Sequence, residues 1–77
     1  GMSMAEVPAP RSFLGRSLGS IDVRNRYKIT ILLIKRRADD GDRIVEQLPD
    51  SSHVFEEGEM LLAMGTEVNL KRFERIG

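Results

Sequence analysis

The most continuous apolar stretch in the chain is ITILLI, residues 29–34, closed by Lys35 and Arg36. Ile and Thr are stiff at χ1 and fit a pleated surface, so residues 29–36 are predicted as a β-strand. In strict alternation Ile29, Ile31 and Leu33 face one way and Thr30, Leu32 and Ile34 the other. Both sets are mostly apolar, which predicts a central strand covered on both sides. The run is too short for a bilayer span, which takes about 20 apolar residues. ADDGD, 38–42, carries turn residues, and RIVEQL, 43–48, is the predicted return strand of a hairpin. PDSS, 49–52, is a loop; HVF is a short extended piece; EEGE turns again. MLLAMG, 60–65, is a further apolar strand with Met60 and Met64 as core filler. Thr66 is placed to cap a closing helix, EVNLKRFERI, in which Leu70, Phe73 and Ile76 form a narrow apolar stripe.

The N-terminal third is less regular. Met4–Val7 fits either a short edge strand stopped by Pro8, which has no N–H to donate, or a linker remnant. Gly1 ahead of an initiator-like Met2 has the form of a residue left by tag removal. Residues 1–6 are therefore set apart as an extension or linker, and 7–77 as the domain. In FLGRSLGSIDVRNRYK, 13–28, Leu18, Ile21 and Tyr27 can share a face of short helical turns. Ser17 and Asp22 are candidate N-caps, and Gly15 and Gly19 argue against one long helix. The elements add up to an α+β fold. It is a small mixed or antiparallel sheet with short helical turns after the first strand and a C-terminal helix packed on it.

Charge adds a division that net charge hides. The chain of 77 residues is neutral overall, with 12 basic and 12 acidic side chains. Yet 11–37 holds eight bases and one acid, Asp22, while 39–67 holds nine acids and one base, Arg43. The acidic half would repel phosphates, which argues against a nucleic-acid partner. With no Cys and one His, a zinc centre is not expected, and Asp39, Asp40 and Asp42 lack the spacing of a calcium loop. No metal or cofactor is expected. His53 has no activated nucleophile within its pattern and is assigned to the surface or to packing, so no enzyme is expected. A domain this small buries only about 60% of its unfolded surface, so an oligomer interface would be a natural supplement to the core.

SFLGRSLGSIDVRNRYKITILLIKR, then the LP at 48–49, then VFEEGEMLLAMGTEVNLKRF resembles the C-terminal domain of the regulator-of-potassium-conductance family, the TrkA C-terminal domain. The resemblance runs from about Val7 to Phe73. It rests on Gly15, Ser17-Leu18, Ile21-Asp22, Arg24, Tyr27, Ile34-Lys35-Arg36, Pro49, Gly58 with its following acid, Gly65, Leu70 and Phe73. It implies a homodimer that serves as the cytoplasmic, ligand-sensing end of potassium channels, potassium-uptake regulators or cation antiporters. The partner would be a membrane transporter or channel subunit, in the same chain or a separate one. In some members the dimer cleft takes a cyclic dinucleotide, notably cyclic di-adenosine monophosphate. Two positions depart from the pattern. Lys28 stands where the family usually has Gly, which costs about 1–2 kcal/mol if that backbone is left-handed. Thr30 stands where cyclic-dinucleotide binders have Asn, and offers one hydroxyl in place of a two-headed amide.

The resemblance places the cleft beside Arg24, whose guanidinium suits a phosphate or carboxylate; a structural ion pair, including one across a dimer, is the competing role. Leu18, Gly19, Ile21 and Thr30 would line the same cleft. Arg26, Lys28, Arg36 and Arg37 are expected as solvated strand-end charges. Beside a regulatory ligand-binding domain stand two other readings: a structural homodimerisation domain without ligand, and a small DNA-binding β protein, which the acidic half disfavours.

Overall fold

The computed structural model describes residues 1–77. The chain runs through β1 (Ser3–Pro8), a 3₁₀ turn (Arg11–Phe13), α1 (Leu18–Ile21), α2 (Val23–Tyr27), β2 (Thr30–Arg37), β3 (Ile44–Gln47), β4 (Met60–Gly65) and α3 (Glu67–Glu74). The strands form one sheet in the order β1-β4-β2-β3, with every pairing antiparallel. This is the expected α+β arrangement. HVF contributes only an isolated bridge, between Ser17 and Val54.

β1 pairs with β4 along its whole length, from Ser3 opposite Gly65 to Pro8 opposite Met60. Residues 3–6 therefore belong to the sheet as part of an edge strand and are not a linker. Pro8 ends the ladder, having no N–H to give.

β2 departs from strict alternation. Ile31 lies opposite Ala63 and Leu33 opposite Leu62, so Leu32 is an extra residue, a β-bulge. Beyond a bulge the side chains exchange faces. Ile31 and Ile34 consequently both point into the core, at 7% and 0% exposure, and Leu33 does not follow Ile31 as the simple period requires.

The helices cover only one face of the sheet. On β4, Leu61, Ala63 and Gly65 are buried toward them, while Met60, Leu62 and Met64 are half-buried on the other face. The expectation that β2 is covered on both sides is thus corrected, and so is the role of Met60 and Met64 as core filler. Small inward residues let the connection from α2 into β2 come close: a Cβ on Gly65 would sit 2.9 Å from Cγ2 of Ile29.

The core is organised by aromatic rings. The Phe13 ring centroid lies 5.8 Å from that of Tyr27, 5.6 Å from that of Phe55 and 5.8 Å from that of Phe73. All three pairs are tilted, a geometry that aromatic rings prefer over a face-to-face stack. α3 begins where Thr66 Oγ1 accepts from the Asn69 N–H at 3.2 Å, an N-cap of the usual kind. The helix buries Leu70 and Phe73. Ile76 follows as a half-buried neighbour of the core.

Candidate functional site

The two short helices owe their arrangement to caps. Ser17 Oγ accepts from the Ser20 N–H at 3.2 Å and starts α1. Asp22 does not cap α2 with its side chain, contrary to expectation. It takes a left-handed backbone, φ 57°, and its carboxylate accepts from Asn25 Nδ2 at 3.1 Å and 3.0 Å. Asp is among the few residues that visit this region readily. The resulting kink swings Arg24 beside the start of β2. Lys28 closes α2 with φ 59° and ψ 34°, its N–H bonded to the Arg24 carbonyl at 3.1 Å. The backbone there is left-handed, so Lys28 carries the strain that a glycine would avoid.

Between α1, the kink and β2 lies a cleft of about 250 Å³. Leu18 and Gly19 line it from α1, Asp22, Val23 and Arg24 from the kink, Ile29 from the position just before β2, Thr30 and Ile31 from β2, and Pro49 from the β3–β4 loop. Four of the five residues singled out from sequence thus meet there: Leu18, Gly19, Arg24 and Thr30. Ile21 does not. It is 0% exposed inside the core cluster, because α1 is a single turn whose inner face it occupies.

The walls are apolar and the rim carries one free cation. Arg24 is exposed and takes part in none of the ion pairs within the chain, which join Lys35 to Glu6 and Glu46, Arg43 to Asp40, and His53 to Glu59. The carboxylate of Asp22 already accepts both bonds from Asn25. The chemistry available is therefore a guanidinium, one carboxylate held by Asn25, one Thr hydroxyl and aliphatic side chains. A guanidinium of this kind pairs with anionic groups, and aliphatic walls suit apolar ones.

The far wall is held by the β3–β4 loop. Leu18 N–H donates to the His53 carbonyl at 2.8 Å and Gly19 N–H to the Ser51 carbonyl at 2.9 Å. The approach is close enough that a Cβ on Gly19 would lie 3.1 Å from Ser51 O. Asp50 folds the loop by accepting from Ser52 N–H at 2.9 Å and Ser52 Oγ at 3.0 Å. The Ser52 N–H, then the Ser52 hydroxyl and the charge on His53, hold the Asp50 carboxyl below its ordinary value, since each favours the ionised form. His53 is a packing residue with a specific partner: Nε2 lies 2.9 Å from Oε2 of Glu59, which is 2% exposed. No group of three or more His, Cys, Asp or Glu side chains is placed to hold a metal ion.

The sequence model of the TrkA-C domain matches residues 2–76. The chain belongs to the TrkA-C domain family. Solved structures agree. One is described as the RCK C domain of the potassium transport protein KtrA in complex with cyclic diadenosine monophosphate. It is 31% identical, with a TM-score of 0.78, covering 96% of this chain and 81% of that one. The GsuK RCK domain is 25% identical with a TM-score of 0.76, covering 97% of this chain and 16% of that one. The TrkA-C domain therefore corresponds to a small part of the GsuK chain. No match to a curated protein reaches significance. No helix of this TrkA-C domain is long and apolar enough to cross a membrane. Its cleft includes residues that carried no separate signal in the sequence: Ile29 and Ile31 looked like ordinary strand core, Val23 was not singled out, and Pro49 is distant along the chain.

Proposed function

We propose that this domain is a ligand-sensing, dimerising module of a potassium or other cation transport system, with a small anionic ligand held in the cleft between two copies. The observation that carries the reading is Arg24, a cation without an ion pair at the mouth of an apolar-walled cleft. Two features support a second copy there. The cleft encloses about 250 Å³. Ligand pockets usually start at about 300 Å³, so the cleft of one copy falls slightly short of one. In addition β3 pairs only with residues 34–37 of β2, so the cleft-side stretch before them has a neighbouring strand on one side alone. The similar KtrA domain, with cyclic diadenosine monophosphate bound, supplies the ligand class to try first.

The mechanism is a difference in ligand affinity between two arrangements of the dimer. Such a difference shifts the population and is passed to whatever domain is attached. The place of action is the cytoplasmic face of a membrane transporter or channel, on the same chain or another. The alternative is a structural homodimerisation domain without ligand, and Thr30 favours it, since a hydroxyl offers fewer bonds to a base edge than an amide.

Thermal melting with nucleotides, cyclic dinucleotides and inorganic ions separates the two. A ligand at a hundredfold excess over Kd adds about 2.7 kcal/mol of stability. Stabilisation by an anionic compound that Arg24→Ala abolishes supports the sensor. A well-formed dimer that no compound stabilises supports the structural alternative.

A further inference from the structure

We propose that His53 and Glu59 form a protonation-sensitive latch that positions the 49–55 loop and, through it, α1 on the wall of the cleft. The latch is a property of the free protein; its consequence for binding rests on the reading of the cleft given above.

Glu59 sits just before β4 and is 2% exposed, so its charge must be met by donors. Oε1 accepts from the Glu56 N–H at 2.9 Å and from His53 Nε2 at 3.0 Å, and Oε2 lies 2.9 Å from the same nitrogen. The imidazole is clamped from the side by Phe55, edge-on at 5.3 Å. Its other nitrogen, Nδ1, lies 3.2 Å from Gln47 Nε2.

Gln47 lets the ring exist in either state. Its NH₂ donates to a bare Nδ1 on the neutral ring; turned over, its carbonyl accepts from Nδ1–H of the charged ring. Nε2–H faces Glu59 in both cases. What changes is the strength of that bond. With a neutral ring only the acceptor is charged, and with an imidazolium the bond is also an ion pair shielded from water. The polar cavity beside the ring is also lined by Arg36 from β2, Asp39 from the hairpin turn and Glu56 from the loop. The charge on the ring is also felt by Asp50. Three carboxylates and one guanidinium therefore surround the ring besides Glu59.

The link to the cleft is short. The carbonyl of His53 itself holds the Leu18 N–H, and Ser51 holds the Gly19 N–H. Both donors line the cleft, as does Pro49 on the same loop.

The test is nuclear magnetic resonance on ligand-free protein across about pH 5 to 8, where imidazoles commonly titrate. The His53 ring signal and the exchange protection of the Leu18 and Gly19 amides are followed together. Loss of the ring proton is expected to lower both protection factors about fivefold, the change that about 1 kcal/mol makes. The step should share the ring's midpoint. His53→Gln keeps a neutral donor and should abolish the step. Protection that stays flat while the ring titrates, or an unchanged step in His53→Gln, overturns the proposal. Because no ligand is present, failure of the cleft to bind anything would sink the function proposed for it and leave the latch standing.

Discussion

Around the cleft, segments far apart in sequence are tied together by backbone hydrogen bonds. Gly15 N–H reaches Phe55 O, Phe55 N–H reaches Arg16 O, and Leu18 and Gly19 reach the 51–53 carbonyls. Phe13 sits beneath them at 1% exposure. The β2–β3 hairpin is built differently. Ile44 and Leu48 are 57% and 77% exposed, and the side-chain ties are open to water: ion pairs of Lys35 with Glu46 and Arg43 with Asp40, a bond from Arg37 Nη1 to the Gly41 carbonyl, and a further ion pair from Lys35 to Glu6 of β1. A binding surface needs walls that hold their shape without the ligand, and ring packing with buried backbone bonds supplies that where exposed ion pairs do not.

If that contrast is right, the cost of substitution should fall steeply from the cleft side to the hairpin. Phe13→Ala is expected to cost about 3–5 kcal/mol. A domain of this length has about 4–12 kcal/mol in total, so the variant should be largely unfolded by circular dichroism at moderate temperature. Lys28→Gly should act the other way, because the backbone at Lys28 is left-handed. Relief of that strain should add about 1 kcal/mol in urea denaturation, with no loss of the cleft. Lys35→Ala removes two ion pairs, at 3.6 Å to Glu6 and 3.7 Å to Glu46. Their loss should cost no more than about 1 kcal/mol. A loss from Lys35→Ala equal to that from Phe13→Ala would break the comparison.

The smallest effect is one of pH. The folded-state carboxyl of Asp50 titrates below its ordinary value of 3.8. Its contribution is therefore complete above the ordinary value and is lost as pH falls through the folded one. Asp50→Asn should accordingly lower the melting temperature slightly near neutrality, where that contribution is complete, and flatten the acid limb of the profile below about pH 4.

What the sequence showed and what it hid follow the same division between local and distant causes. β4 and the hairpin were legible from runs of apolar residues broken by turn signals, and Ser17 and Thr66 announced their helices because capping is local. The phase of β2 was not legible, since a bulge at Leu32 arises only when the strand meets the register of β4. Met60 and Met64 looked like core by size, whereas the inward positions of β4 hold Leu61, Ala63 and Gly65, where space is tight. Ile21 was placed in the cleft by the resemblance and lies in the core by its position on a one-turn helix. Arg24 and Thr30 were legible because a resemblance marked them. Pro49 and the Glu59 partner of His53 needed the fold to bring them near.

The most direct test of the central claim is isothermal titration of cyclic diadenosine monophosphate into the wild-type domain and Arg24→Ala. Charged hydrogen bonds contribute about 1.5–3 kcal/mol, so the variant should bind at least about tenfold more weakly, and the wild type should take one ligand per pair of chains. No binding by the wild type, or equal affinity in both proteins, would contradict the assignment of Arg24 as the residue that holds this ligand.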